Sequence, residues 1–387
     1  MNSIDLFSGI GGLSLGLENA GFISKLVVES NSRCCDTFST NLETRVTDHT
    51  RLKILNRDIQ DMEFDDYTAN IDLLAGGPPC QPFSLGGKHL GKDDERNMFP
   101  EAIRAVREVQ PKAFLFENVR GINRVSFSEY FEYIKLQLTY PNLIKKDSET
   151  WKQHHNKLQQ HHTADKNLNG LEYRVLSQVL NAADYGIPQR RERVFIVGFR
   201  VDVGASWNFP VSTHSRKALN ESKSTGEYWD RYKVSKKHRE PVHNPKKNSR
   251  KIDVLERKML PWNTLRSAIA DLPSPTAEIK KSRNFLNHEF HPGAKIYKGH
   301  TGSPLDEPSK TIKSGGNGVP GGENMLRRHD GSVRYFTIRE AARLQGFTDD
   351  FRFLHGRSES MRQIGNAVPV ELSTILSKSI FLALNDL

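Results

Sequence analysis

The chain has 387 residues, of which 36% are hydrophobic, so it can bury one large or two moderate cores. Its three cysteines, Cys34, Cys35 and Cys80, show no C-x-x-C spacing, which argues against a disulfide framework and a cysteine-based zinc site. The N-terminus lacks a basic, apolar leader, and no run approaches the ~20 apolar residues that span a bilayer. We therefore expect a reduced, cytoplasmic protein with no membrane partner and no metal.

Short apolar runs alternate with helical patterns along the first 200 residues. "SIDLFSG", "SKLVVES", "IDLLAGG", "KAFLFEN" and "RVFIVGF" predict strands, while "GGLSLGLENAG", "RCCDTFSTNL", "MFPEAIRAVREV" and "SFSEYFEYIKLQL" predict helices. This alternation predicts an α/β fold with a Rossmann-like doubly wound, mostly parallel sheet. In such sheets ligands bind beyond the carboxyl ends of the strands.

Residues 141–170 interrupt the alternation with the polar run "WKQHHNKLQQHHTADKNLNG". We expect a surface insertion there. Its paired histidines, His154 with His155 and His161 with His162, are more typical of a solvated face than of a metal site.

The positive charge is concentrated in the middle of the chain. Residues 1–200 carry 25 basic and 26 acidic side chains, whereas residues 201–330 carry 24 and 14. The densest part, residues 231–258, holds 11 basic and 3 acidic side chains. A nearly neutral body with a basic, loop-rich lobe predicts a polyanionic partner, although an isolated basic run is also compatible with an ordinary solvated face.

Regular structure is predicted to return at residue 334. Thr337 and Glu340 form a capping-box pattern at a helix start, and Gly346 marks its end. A last helix after Pro369 carries an apolar stripe that needs a core, which residues 1–200 can supply. We therefore predict a catalytic and cofactor-binding domain in residues 1–200, a second domain in residues 201–333, and a return to the first in residues 334–387.

The turn after the first predicted strand, "DLFSGIGG", is suited to cofactor binding. Gly9, Gly11 and Gly12 let a ligand approach backbone N–H groups where a helix begins. Glu29 ends the next strand, where a carboxylate can accept from ribose hydroxyls, and Asp58 can contact an adenine amino group. The pattern fits both NAD and S-adenosylmethionine, and a plain tight turn is the structural alternative.

The stretch "GGPPCQPFS", residues 76–84, places a cysteine on a backbone stiffened by prolines. Cys80 lies just beyond a buried strand, where it is a candidate nucleophile, although a buried inert thiol is the default for a lone cysteine. Glu117 ends the next strand in "FLFENVRG" and is a candidate proton donor. Arg191 and Arg193 alternate in "QRRERVFIVG", so we expect both guanidiniums to point into one site.

Taken together, these blocks resemble the DNA (cytosine-5)-methyltransferase family of the bacterial restriction–modification type. "DLFSGIGG", "GGPPCQPFS", "ENVRG", "QRRERVFIVG", "REAARLQGF" and "QIGNAVP" stand in the family's order and span the chain outside the basic lobe and the insertion. The resemblance implies S-adenosyl-L-methionine as cofactor, S-adenosyl-L-homocysteine as product, and a target-recognition domain in residues 201–333. One departure is Ser30, which follows Glu29 where family members often carry tryptophan.

The resemblance also implies a role for each matching residue. Cys80 adds to carbon-6 of a flipped-out cytosine, while Glu117 protonates or hydrogen-bonds ring N3, and carbon-5 then takes the methyl group. Asn366 braces the proline–cysteine loop, Gln81 and Ser84 lie near the target phosphate, and Thr311 belongs to a glycine-rich recognition loop. The implied residues are catalytic Cys80, Glu117, Arg191 and Arg193; cofactor-binding Phe7, Gly9, Gly11, Gly12, Glu29, Asp58, Pro79 and Asn366; and DNA-binding Gln81, Ser84, Thr311, Gly315 and Gly316.

The expected partner is double-stranded DNA. We expect the enzyme to be a monomer that is associated with the bacterial nucleoid through this DNA. We also expect a functional pairing with a restriction endonuclease, without necessary physical contact. An RNA (tRNA) cytosine-5 methyltransferase and a non-catalytic DNA-binding homologue are the alternatives, and a nicotinamide-dependent oxidoreductase is a third. The large basic lobe favours duplex DNA, and the presence of both Cys80 and Glu117 favours catalysis.

Overall fold

The computed structural model describes residues 1–42, 52–67, 70–79, 97–164, 170–239, 259–276, 285–298, 300–314 and 324–386. The chain forms two compact units. The first unit comprises Met1–Leu180, Glu192–Pro210 and Ser373–Leu387, and the second comprises Asn181–Arg191 and Val211–Leu372. Residues 334–372, predicted to return to the catalytic domain, thus belong to the second unit by compactness. The functional division into catalytic and target-recognition domains stays a prediction.

Seven of the described strands form one sheet in the first unit: β1 (Asn2–Leu6), β2 (Ile23–Glu29), β3 (Lys53–Asn56), β4 (Leu73–Gly76), β5 (Ala113–Val119), β6 (Tyr173–Asn181) and β7 (Glu192–Arg200). Their order is β3-β2-β1-β4-β5-β7-β6. The neighbours from β3 to β5 pair in parallel, whereas β7 runs antiparallel to β5. The predicted mostly parallel sheet is confirmed. No apolar run predicts β6, because its residues at the sheet edge are only partly buried.

The described helices that follow the strands are α1 (Gly12–Asn19), α2 (Ser32–Leu42), α3 (Phe99–Val109), α4 (Ser128–Thr139) and α5 (Trp151–Thr163), of which the first four stand in the predicted order. The central strands β4 and β5 are buried at nearly every position, so they read as continuous apolar runs rather than as alternating ones. The main core lies where these strands meet the helices, with Phe114 and Phe116 fully buried in it.

The insertion contains helix α5, which the polar sequence does not predict. Thr150 and Gln153 form a capping box at its start. His154 and His155 are buried, so the expectation of a solvated face is wrong for this pair. The His154 ring is hydrogen-bonded to the Tyr133 hydroxyl and to the Leu143 carbonyl, both at 2.9 Å, and burial lowers the pKa of the imidazole. Among the described residues, no three His, Cys, Asp or Glu side chains are grouped to hold a metal ion.

The second unit is rich in loops and short elements, as its composition predicts. Its elements are β8 (His214–Ser215), α6 (Arg216–Thr225), α7 (Glu227–Arg231), β9 (Leu260–Pro261), α8 (Leu265–Ile269), β10 (Ser303–Pro304), β11 (Met325–Arg327), β12 (Val333–Tyr335), α9 (Ile338–Leu344) and α10 (Arg357–Asn366). The predicted capping box is confirmed: Thr337 Oγ1 accepts from the Glu340 N–H at 3.1 Å, and the Glu340 carboxylate accepts from the Thr337 N–H at 2.9 Å. Gly346 follows α9 with φ +80°.

The last helix, α11 (Val370–Asn385), carries the apolar stripe expected after Pro369. In the first unit, Ser373 Oγ donates to the Leu13 carbonyl of α1 at 2.9 Å. A Cβ at Gly16 would stand 2.1 Å from Ser373 Oγ, so the two helices approach each other at a glycine. By length and composition the stretch Arg357–Asn385 could cross a membrane. However, 56% of its most apolar 18 residues are buried inside the protein, as they are in a core helix, and residues 367–369 interrupt the helix.

Candidate active site

The turn between β1 and α1 is built from left-handed backbone conformations. Phe7, Gly9 and Gly11 have φ angles of +56°, +57° and +85°. Gly11 is the N-cap of α1 and supplies no side chain to the first N–H groups, while Gly12 is buried as the first helical residue. A helix start of this kind presents backbone donors and the positive end of the helix dipole to a ligand.

Glu29 is tied to this turn. Its Oε2 accepts from the Gly9 N–H and its Oε1 from the Asn31 N–H, both at 2.8 Å. Each carboxylate oxygen retains a lone pair for a further donor, so the group is oriented in advance to accept from sugar hydroxyls. Asp58 is exposed two residues beyond β3, where its Oδ1 accepts from the Gln60 N–H at 3.0 Å.

The vicinity of this turn has polar groups and space that fit a nucleoside. The buried Ser8 hydroxyl has no hydrogen-bond partner within the described ranges. A Cβ at Gly9 would meet no described atom within 4 Å, so a ligand can lie against this backbone. Beneath the turn, burial raises the pKa of the Asp5 carboxyl to about 7, although Oδ2 accepts a hydrogen bond from the Ser14 hydroxyl.

Glu117 and Arg193 meet at the carboxyl end of β5. Glu117 is only 8% exposed, and its Oε1 lies 2.9 Å from Arg193 Nε on the neighbouring strand β7. Within the described part of the chain Oε1 accepts no well-aligned hydrogen bond, so the contact is an ion pair that leaves acceptor capacity for a substrate. Burial lowers the pKa of the Arg193 guanidinium and the Glu117 carboxylate offsets this in part, so Arg193 stays charged.

The segment that leads to Cys80 runs past Glu117. Asn118 Nδ2 donates to the Pro78 carbonyl at 2.9 Å, which fixes this segment to the end of β5. A Cβ at Gly77 would stand 3.6 Å from Glu117 Oε2, so the carboxylate faces the start of the proline–cysteine stretch. Pro79 is exposed, and its carbonyl accepts from the Met98 N–H at 3.0 Å. Cys80 itself lies outside the described residues, as do Gln81 and Ser84.

Arg191 does not take the predicted position beside Arg193. It is 1% exposed, and it donates from Nη1 to the Ile312 carbonyl at 3.2 Å and from Nη2 to the carbonyls of Gly365 and Ala367 at 2.9 and 3.0 Å. Strand β7 begins at Glu192, so the alternation that would place both guanidiniums on one face does not extend to Arg191. Its guanidinium instead joins backbone segments of the second unit.

Thr311 lies at the base of the predicted recognition loop. Its hydroxyl donates to the Arg190 carbonyl at 2.7 Å. The Lys313 backbone exchanges two hydrogen bonds with the Asn324 amide, both at 3.1 Å, so Asn324 holds the two ends of the loop together. A Cβ at Gly365 would stand 2.4 Å from the Ser314 nitrogen, so this backbone approach requires glycine. Gly315 and Gly316 lie outside the described residues.

Two glutamines that sequence reasoning missed organise the second unit. Gln189 donates to the Leu344 carbonyl at 2.9 Å and accepts from the Ile312 N–H at 3.0 Å. Gln345 donates to the Ile364 carbonyl at 2.7 Å, near the end of α10. Both glutamines stand in blocks that carry the family resemblance, which is the only sequence signal for them. Asn366 is exposed at the C-terminal end of α10.

Comparisons with known proteins agree with this site. The model of the C-5 cytosine-specific DNA methylase family matches residues 1–140 and 151–382, which leaves out only residues 141–150 of the insertion and the last five residues. The type II methyltransferase M.Eco47II of Escherichia coli is 33% identical over 97% of this chain and 78% of its own length. M.FnuDI of Fusobacterium nucleatum, also a type II methyltransferase, is 31% identical over 100% of this chain and 96% of its own.

Two solved structures share the fold. A prophage-encoded DNA modification methyltransferase from E. coli superposes with a TM-score of 0.60 at 23% identity, covering 100% of this chain and 99% of its own. The Dnmt2 methyltransferase of S. pombe does so with a TM-score of 0.56 at 17% identity, with the same coverage. At these identities the likeness establishes the architecture alone.

Proposed function

This chain belongs to the C-5 cytosine-specific DNA methylase family, and on that premise we propose how its own residues carry out the reaction. It is a DNA (cytosine-5)-methyltransferase of the restriction–modification type. S-adenosyl-L-methionine supplies an electrophilic methyl group and leaves as S-adenosyl-L-homocysteine. Carbon-5 of cytosine is a poor nucleophile, so the enzyme's task is to make that carbon nucleophilic.

Cys80 is the proposed nucleophile. Its thiolate adds to carbon-6 of an extruded cytosine, which makes carbon-5 an enamine carbon able to take the methyl group. Loss of the carbon-5 proton then restores the double bond and expels the thiolate. The other two cysteines are buried in α2, and burial raises the pKa of the Cys35 thiol to about 11, which makes it a poor thiolate source.

Glu117 and Arg193 are proposed to act on the base from the end of the sheet. The observation that carries this proposal is the Glu117 carboxylate, which is buried, ion-paired with Arg193 and turned towards Gly77 at the start of the stretch that ends in Cys80. To act on ring N3 the Glu117 carboxyl must first take up a proton, which it then donates to N3 or shares with it in a hydrogen bond as Cys80 adds to carbon-6. The charged Arg193 holds the Glu117 carboxylate and contacts the base edge. Arg191 is assigned a supporting role, because its guanidinium is occupied by backbone carbonyls.

The glycine turn is the proposed cofactor site. Glu29 accepts from the ribose hydroxyls, the turn's backbone donors face the cofactor, and Asp58 contacts the adenine amino group. The open space beside Gly9 and the unpartnered Ser8 hydroxyl support this placement. The proposed cofactor-binding residues are Phe7, Gly9, Gly11, Gly12, Glu29, Asp58, Pro79 and Asn366.

The basic lobe is the proposed target-recognition domain for double-stranded DNA. The net positive charge of residues 201–330 supports phosphate binding there. The proposed DNA-binding residues are Gln81, Ser84, Thr311, Gly315 and Gly316. We further propose that the enzyme acts as a monomer in the bacterial cytoplasm, bound to the nucleoid through DNA. It would protect that DNA from a separate restriction endonuclease.

A direct test is transfer of a labelled methyl group from S-adenosyl-L-methionine to unmethylated genomic DNA or to tRNA. We expect label in DNA only, as 5-methylcytosine at one sequence in bisulfite sequencing. Labelling of tRNA alone would refute the DNA assignment. Label at adenine or at cytosine N4 would refute the proposed roles of Cys80 and Glu117.

A further inference from the structure

An apolar side chain stands fully in solvent close to the catalytic end of the sheet. Val125 is 93% exposed, which makes it the most exposed large hydrophobic side chain among the described residues. It lies eight residues beyond Glu117, in the connection between β5 and α4. Single exposed apolar residues are common at protein surfaces, so exposure alone carries no function.

The backbone that carries Val125 is held rigidly. Two consecutive 3-10 helices, Arg120–Asn123 and Val125–Phe127, form this connection. Ile122 anchors the first of them in the core with no exposure. The Phe127 N–H donates to the Arg124 carbonyl, and the Ser128 hydroxyl donates to the Val125 carbonyl, both at 2.9 Å. Val125 therefore lies at the exposed tip of a hydrogen-bonded turn, and this residue is called the tip below.

The tip lies at the carboxyl end of β5, close to Glu117. The first 3-10 helix begins directly after β5 ends at Val119, and Arg120 pairs with Glu192, the first residue of β7. Because β7 runs antiparallel to β5, its first residues lie at the carboxyl end of β5. The carboxyl ends of β4 and β5 thus carry the beginning of the proline–cysteine stretch, the Glu117–Arg193 pair and the tip.

The charge beside the tip suits a polyanion. Arg120 is paired with Glu192, whereas Arg124 has no carboxylate partner among the described residues. Arg124 is of intermediate exposure, and an arginine without an internal anion can bind a phosphate oxygen. An apolar tip next to such a cation matches the surface of a DNA duplex that has been opened, where base faces lie beside the phosphate backbone.

We propose that Val125 and Arg124 contact the substrate DNA beside the target cytosine and stabilise the duplex with that cytosine turned out. Arg124 binds a backbone phosphate, and the Val125 isopropyl group packs against bases that become accessible when the stack opens. Apolar contact with base faces is available only in the opened duplex, so Val125 favours that state over the closed one. This inference rests on the proposed DNA methyltransferase function and adds two residues that assist extrusion.

The test compares two duplexes built around the site that the wild-type enzyme methylates, as mapped by bisulfite sequencing. In one the target cytosine is paired with guanine, and in the other it is mispaired. We expect Val125→Ser to lower kcat/KM about tenfold on the paired duplex, the loss that corresponds to withholding the apolar surface of one valine. On the mispaired duplex the loss shrinks to about twofold, because a mismatched base is cheaper to extrude. Arg124→Gln lowers affinity and reduces the salt slope by about one.

Val201→Ser is the matched control. Val201 is a 49% exposed valine that also lies in a 3-10 helix of the first unit. It follows the end of β7 that pairs with the amino end of β5, so it lies at the opposite end of the strands from Val125. We expect this variant to match the wild type on both duplexes. Equal activity of Val125→Ser and Val201→Ser, or an equal loss of Val125→Ser on both duplexes, would overturn the inference. Failure of the wild-type enzyme to methylate any DNA would instead overturn the proposed function.

Discussion

Two glycines of the β1–α1 turn allow stability and cofactor binding to be separated by single methyl groups. Gly9 and Gly11 both have left-handed backbones, with φ angles of +57° and +85°. A Cβ at Gly11 would stand 2.1 Å from Phe38 Cε2, whereas a Cβ at Gly9 would meet no described atom within 4 Å. Gly11→Ala and Gly9→Ala therefore share the conformational cost and differ in the steric one.

The magnitudes follow from these distances. An alanine in left-handed conformation costs about 1–2 kcal/mol, which both variants pay in stability. Phe38 is 1% exposed and packs with Val27 and Leu42, so its ring has little room to move away. Forcing a methyl group into such a contact costs about 1–3 kcal/mol more. We expect Gly11→Ala to lose about 2–5 kcal/mol and Gly9→Ala about 1–2 kcal/mol of the free energy of unfolding.

Urea unfolding followed by circular dichroism measures the first difference, and calorimetric titration with S-adenosyl-L-homocysteine measures the second. Gly9→Ala should weaken this ligand about tenfold or more, equivalent to about 1.4 kcal/mol, because its methyl group takes space proposed for the cofactor. Folded Gly11→Ala should bind this ligand more tightly than Gly9→Ala does, because its methyl group points at Phe38 and not into the space proposed for the cofactor. Equal stability of the two variants would show that the Gly11–Phe38 contact is not as tight as the structure has it. Unchanged binding by Gly9→Ala would remove Gly9 from the cofactor site.

Three further predictions address the chemistry, the buried carboxyl and the basic lobe. Cys80→Ala should abolish methyl transfer but bind S-adenosyl-L-homocysteine within a few-fold of the wild-type affinity. 5-Fluorocytosine in the target site should trap a covalent complex with the wild type only. Turnover by the variant would refute the assignment of Cys80 as the nucleophile. The folded-state pKa of Asp5, raised by burial and secondarily by Glu29, lies above its unfolded value of 3.8, so the native state binds the extra proton and stability should fall as pH rises from about 4 through about 7. Urea midpoints of Asp5→Asn should be flatter across that window, and an unchanged pH slope would contradict the burial argument. Joint replacement of the exposed Lys236 and Lys237 by glutamine should lower the salt slope of DNA binding by up to about two, whereas an unchanged slope would return them to ordinary surface.

Local sequence patterns were sufficient for the strands and for the ends of strands. Parallel strands buried on both faces need continuous apolar runs, so β4 and β5 are visible in the sequence together with Glu117 at the end of β5. The glycine turn and the Thr337 capping box are likewise local, because each is decided by hydrogen bonds and φ angles within a few residues. The sequence does not predict the edge strand β6, because its partial burial requires no continuous apolar run.

The partners of long polar side chains were decided by tertiary structure. Arg191 and Arg193 are two residues apart and equally basic, yet one is occupied by three backbone carbonyls and the other pairs with Glu117. His154 lies in a polar run and is nevertheless buried, because Tyr133 and the Leu143 carbonyl satisfy both ring nitrogens.

The sequence by itself determined the family, the positions of the main strands along the chain and the residue types that follow them. It did so because continuous apolar runs mark strands that are buried on both faces, and because six motifs stand in the family's order along the chain. Only the tertiary structure decided that Glu117 is paired with Arg193, that Gln189 and Gln345 bind distant backbone groups, and that Val125 stands in solvent at the same edge. Those outcomes depend on segments far apart in the sequence, whose approach no local pattern records.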